Sequence, residues 1–182
     1  SALVGNVWTI LNPWKIVFEL VENVFRTRHT APFRYPKTWD VWPAFIFFLF
    51  FAWVENNYSY AAEPRNLGAL IVLYSIVTWS GMYAFGKHQW LRYGETFSLV
   101  FSFFARFSPT EARMSYQQIC DTCDNECALT PADCVNCYHC FERSDADKRE
   151  INIRPYAVGL ARDERISTGT LAFVILILAT VT

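Results

Sequence analysis

Asn66–Gly86 reads NLGALIVLYSIVTWSGMYAFG, without one charged side chain. A helix rises 1.5 Å per residue, so a run of about 20 residues matches the roughly 30 Å hydrocarbon core of a bilayer. The run predicts a membrane span over 66–86. Upstream, Val41–Val54 (VWPAFIFFLFFAWV) is shorter, but it lacks the polar face that a soluble helix shows. Trp39, Trp42 and Trp53, with Tyr58 and Tyr60 just beyond, stand where an interfacial aromatic belt is expected. Pro43 falls near the first turn, where its missing N–H does no harm. A second span is therefore placed over 39–56. Glu55–Arg65 is too short to join the two except as an antiparallel pair.

The composition agrees. Apolar residues make up 53% of the chain and aromatics 18%, against about 45–50% apolar in ordinary soluble domains. A net charge of -1 and the lack of a basic stripe with interleaved aromatics argue against nucleic acid as a partner. The fold class expected is all-α: polytopic integral membrane helices with interfacial helices and a small cysteine-rich loop module. The sequence begins without methionine inside the charge-free run Ser1–Trp14 and stops inside another, Ser167–Thr182. Both ends are expected to be partial spans, 1–11 and 167–182, of a longer polytopic protein.

Two shorter apolar segments complete the expected membrane region, 1–110. Thr96–Phe107 (TFSLVFSFFARF) lies between Glu95 and Pro109. Its dozen residues rise only about 18 Å, so an interfacial or re-entrant helix is expected over 95–107. Asn12-Pro13 opens a helix whose Ile16, Val17, Leu20, Val21 and Val24 form a stripe, with Lys15, Glu19, Glu22 and Asn23 opposite. That pattern predicts an interfacial helix over 12–28.

Orientation follows the bias of Lys and Arg toward cytoplasmic loops. Of the 16 Lys and Arg, Arg65 alone falls between the two spans. The others share one side if nothing crosses between Lys87 and Arg165. Residues 111–166 are thus expected to form a cytoplasmic loop of a protein in the prokaryotic inner membrane.

All six cysteines lie in that loop, as Cys120, Cys123, Cys127, Cys134, Cys137 and Cys140. Cys120-x2-Cys123 and Cys137-x2-Cys140 have the two-knuckle spacing that supplies four thiolates to tetrahedral zinc, because an x2 gap lets both sulfurs of a pair reach one ion. Cys127 and Cys134 remain to complete a second site, and His139 stands beside the second knuckle. Reduced thiols suit a cytoplasmic loop, and a segment this small needs a staple to fold. Two alternatives stay open. Cys134-x2-Cys137-x2-Cys140 supplies three positions of a bacterial iron–sulfur run, although no x3-Cys-Pro follows. An even cysteine count also suits three disulfides if the orientation is reversed. Asp121, Asp124, Glu126 and Asp133 read as solvated loop charge.

Elsewhere the chemistry is sparse. Glu55 and Glu95 are ionisable residues flanking apolar helices, expected to cap helices or meet water. His29, His88 and His139 have no metalloprotease spacing, and neither a G-x-S-x-G elbow nor a glycine-rich phosphate loop occurs. The aromatics read as lipid-facing and belt residues.

Gly5–Lys15 (GNVWTILNPWK), Tyr35–Glu55 (YPKTWDVWPAFIFFLFFAWVE), Tyr93–Pro109 (YGETFSLVFSFFARFSP) and Gly169–Thr182 (GTLAFVILILATVT) resemble a family of polytopic bacterial and archaeal membrane proteins often labelled fenitrothion hydrolase-like. The resemblance covers nearly all of the chain except about 111–150. It implies further helices on both sides of this sequence, and its label implies a hydrolase, with no motif that identifies a catalytic group. In that family the region corresponding to 111–150 is short and lacks cysteines, so the thiol cluster reads as an insertion. The expected function is an integral membrane accessory protein that docks protein partners through a zinc knuckle. A membrane hydrolase, or a metal-handling or electron-transfer protein, is the competing expectation.

Overall fold

The computed structural model describes residues 5–26, 31–58, 63–114, 145–161 and 166–181. Helix dominates them: α1 (Trp8–Leu11), α2 (Pro13–Val24), α3 (Trp42–Asn57), α4 (Pro64–Phe85), α5 (Lys87–Tyr93), α6 (Thr96–Ala105) and α7 (Thr168–Val181). One antiparallel pair, β1 (Thr110–Met114) and β2 (Arg149–Ile153), departs from an all-helical chain and occupies two stretches of the expected loop 111–166. The helical run Lys37–Asn57, of 21 residues, and α4, of 22, are both long and apolar enough to cross a membrane. The chain divides into two compact units, Ser1–Leu11 with Phe101–Asp163, and Asn12–Val100 with Glu164–Thr182.

Prolines sit in the first turns of α2, α3 and α4. There a fixed φ near -65° favours the helix, and the absent N–H would have lacked a partner anyway. In the unit built on Asn12–Val100, α3 and α4 pack antiparallel: Phe47 and Phe51 meet the Tyr74 ring at 6.3 and 5.3 Å, while Trp39 reaches Phe85 at 5.7 Å. Helix α7 runs in the same direction as α3. Its capping Ser167 accepts from the Thr170 N–H at 3.1 Å and donates to Asp40, Gly169 lies against Val41 and Trp42, and Phe173 meets Phe48 further along. The beginnings of α3 and α7 and the end of α4 therefore share one end of this unit.

At that end the chain reverses. Gly86 has φ +86°, a conformation that a Cβ opposes, and it turns the chain from α4 into α5. Trp90 of α5 then settles onto Gly81, where a Cβ would stand 2.2 Å from the indole, and onto Gly94, where it would stand 2.7 Å away. Trp90 joins Tyr35 and Met82 in a core flanked by Trp14, Phe18, Phe47 and Phe85. Helix α2 lies along the second half of α4. Trp14 donates from its indole to Ser75 at 2.9 Å, and Lys87 pairs with Glu22 at 3.0 Å and Glu19 at 3.2 Å.

The outward sides of these helices stay apolar. Ile46, Phe50 and Trp53 on α3, Ile71, Val72 and Ile76 on α4, and Leu171, Ile175 and Leu178 on α7 are all exposed. Water would penalise so much contiguous apolar area at about 25 cal/mol per Å². Lipid would not.

In the other unit, Trp8 stacks on Phe101 at 4.7 Å. The two strands pair from Thr110↔Ile153 to Met114↔Arg149. Arg154, directly after β2, binds the end of α6: its Nε donates to the Ser108 carbonyl at 3.0 Å and Nη2 to that of Arg106 at 3.3 Å. Its Nη1 meets Glu111 at 2.7 Å in an almost fully buried ion pair. A guanidinium at a helix C-terminus also complements the negative end of the helix dipole.

Candidate functional site

The six cysteines expected to bind metal, Cys120, Cys123, Cys127, Cys134, Cys137 and Cys140, lie outside the described residues, as does His139. The attachment of their segment is described. Met114 and Arg149 are paired partners at the end of the β1–β2 ladder. The intervening sequence, which carries every cysteine of the chain, therefore departs and returns at one point. Pairing of this kind removes part of the loop-closure entropy that bringing distant ligands together would cost.

Among the described residues, the densest polar centre surrounds Glu95, which is fully buried. Tyr74 stands halfway along α4, about 16 Å from either helix end. Its hydroxyl donates to Glu95 Oε1 at 2.5 Å. Oε1 also accepts from the Phe97 N–H at 2.9 Å, and Oε2 accepts from the Ser98 N–H at 2.7 Å and from Asn12 Nδ2 at 3.2 Å. Glu95 thus caps α6, as expected of it. The cap sits beside the middle of α4 and not at either of its ends.

Asn12 mirrors this arrangement. It is 1% exposed, and its Oδ1 caps α2 by accepting from the Trp14 and Lys15 N–H groups at 3.0 and 3.2 Å. Because Oδ1 is committed to two donors, Nδ2 is fixed as the atom facing Glu95 and Ser98 Oγ. Two helix starts are therefore tied to each other by their capping side chains. Thr96 adds a bond from its hydroxyl to the Ala44 carbonyl at 3.2 Å, which joins α3 to the same point.

A carboxylate offers about four lone-pair directions. Glu95 has a protein donor for each, so it retains no acceptor for a substrate proton or a cation. Its chemistry is that of a staple: it satisfies the N–H groups at the start of α6 and a phenol in the buried interior.

Lys87 is also matched in charge. Burial alone would lower the Lys87 pKa, but Glu22 and Glu19 outweigh it and hold the ammonium above its ordinary range. Tyr35, half-buried and close to Asp40 and Tyr93, is pushed up well beyond the ordinary phenol range, first by desolvation and then by those neighbours. It stays neutral and donates to the Asp40 carbonyl at 2.8 Å. Glu55 lies exposed near the end of α3. No group of three or more His, Cys, Asp or Glu side chains converges among the described residues.

Sequence reasoning found Asn12 and Glu95 separately, one as a helix start and the other as a cap. It missed that they meet, since nothing local couples residues so far apart in the chain. Glu111 and Arg154 were missed as a pair for the same reason. No family model, curated protein or solved structure matches the chain.

Proposed function

We propose that this chain belongs to an integral protein of the prokaryotic inner membrane, in which apolar helices carry a cytoplasmic, zinc-stapled cysteine module that docks protein partners. The observation that carries this reading is the β1–β2 stem. It joins the two ends of the thiol-bearing segment at Met114↔Arg149, the attachment that a self-contained metal module needs. Cys120, Cys123, Cys137 and Cys140 would hold one zinc ion, and Cys127 and Cys134 would complete a second site or stand beside the first. Zinc would supply folding free energy, on the order of 10 kcal/mol for such sites at neutral pH, that a short polar segment cannot obtain by burial.

The cytoplasmic placement is supported by the shared end of α3, α4 and α7 in their unit. The chain leaves α4 and re-enters at α7 on the end that also bears Lys37 and Lys87. That is the pattern expected if the segment between them stays on the cation-rich side.

Elemental analysis of the purified full chain tests the reading. Zinc bound stoichiometrically, and lost in Cys123→Ser while the helices remain inserted, is the expected result. Iron with inorganic sulfide would replace docking by electron transfer, and three disulfides without metal would remove both the zinc and the cytoplasmic placement.

A further inference from the structure

The β1–β2 pair has its polarity reversed. Alternate residues of a strand face opposite sides, and in an ordinary half-buried sheet the apolar side faces inward. Here the buried side chain is Glu111, 3% exposed and bound to Arg154, whereas Ile151 and Ile153 are 72% and 88% exposed. The register sets Ile151 across from Ala112 and Ile153 across from Thr110, so these four residues share the face opposite Glu111. The exposed apolar character continues past the strand through Tyr156, Val158 and Leu160.

We infer that this face rests on the bilayer, with Ile151 and Ile153 inserted at the boundary between headgroups and acyl chains. The chain itself restricts the alternatives. Apolar α6 ends at Ala105 and β1 begins at Thr110, a connection that cannot exceed about 18 Å even when fully extended. From the 3-10 turn Val158–Ala161 to the start of apolar α7 at Thr168, the limit is about 25 Å. A hairpin leashed this closely to an apolar helix on each side cannot move far from the membrane those helices occupy. Aliphatic side chains with a neighbouring tyrosine are the composition that the interfacial zone favours. The interior side of the pair is already satisfied by Glu111 and Arg154, and among the described residues no core takes in the isoleucines.

The inference rests on the membrane reading above, and its test separates the two. The full chain, with isoleucine δ1 methyl groups labelled, is reconstituted in nanodiscs of phosphatidylcholine and phosphatidylglycerol. The signals of Ile151 and Ile153 are assigned with I151V and I153V. A nitroxide carried high on a lipid acyl chain should remove most of the intensity of both methyl signals, while an aqueous gadolinium chelate should spare them. Ile71 and Ile76, exposed on α4, serve as the membrane reference. Quenching of Ile71 and Ile76 by the lipid probe, with Ile151 and Ile153 quenched only by the aqueous probe, would overturn the inference and leave the membrane reading intact. Protection of Ile151 and Ile153 from both probes would also overturn it, because a protein surface would then cover them. If the lipid probe left Ile71 and Ile76 untouched, both readings would fall.

Discussion

Replacing Glu95 by glutamine and by alanine should give two different losses, and the difference follows from the hydrogen-bond geometry. In Glu95→Gln the amide has two orientations. With its NH2 at the Oε2 position it would face two donors, the Ser98 N–H and Asn12 Nδ2. Asn12 cannot rotate to relieve this, because its Oδ1 is holding the first turn of α2. With the NH2 at the Oε1 position, the Tyr74 hydroxyl can turn and accept, and only the Phe97 N–H loses its partner. Glutamine should adopt the second orientation and cost about 1–3 kcal/mol, the penalty for one buried unsatisfied donor. Alanine takes an acceptor away from all four donors, although Asn12 Nδ2 keeps Ser98 Oγ, and creates a cavity, so about 4 kcal/mol or more is expected, allowing for partial relaxation. Tyr74→Phe should cost about 1–2 kcal/mol alone and add less than that to Glu95→Gln, since the two share one bond. Unfolding free energies from detergent titration in mixed micelles would measure all four proteins. Equal losses for glutamine and alanine, or a loss below about 0.5 kcal/mol for alanine, would refute the account of Glu95 as a saturated staple.

Three further outcomes are expected. Gly81→Ala places a Cβ against the Trp90 ring, so it should destabilise by about 1–3 kcal/mol through overpacking and shift the tryptophan emission, and Trp90→Leu in the same chain should recover part of the loss. Arg154→Met strands a buried Glu111 and should cost about 3–5 kcal/mol, read as faster amide exchange across β1 and β2, while adding Glu111→Leu should restore much of the protection. The raised Lys87 pKa stabilises the fold fully below its unfolded value of about 10.4 and is lost as pH rises through the higher folded value, so Lys87→Met should flatten the alkaline fall of the melting temperature.

The sequence alone determined the elements that depend on neighbours in the chain. The charge-free run 66–86 and the face-free apolar run from Val41 mark helices because length and periodicity are local properties. Asn12-Pro13 and Glu95-Thr96 mark helix starts because capping needs only a side chain and the next turn. The tertiary structure decided what those elements do to one another. That two caps would meet beside Tyr74 depends on how α2, α4 and α6 pack, and no spacing encodes it. The strands escaped notice because Thr-Glu-Ala-Arg-Met and Arg-Glu-Ile-Asn-Ile lack the buried apolar alternation that announces a sheet. Their pairing is anchored by a guanidinium and a carboxylate 43 residues apart, a match that exists only once the chain has brought them together in a place where water cannot compete for either charge.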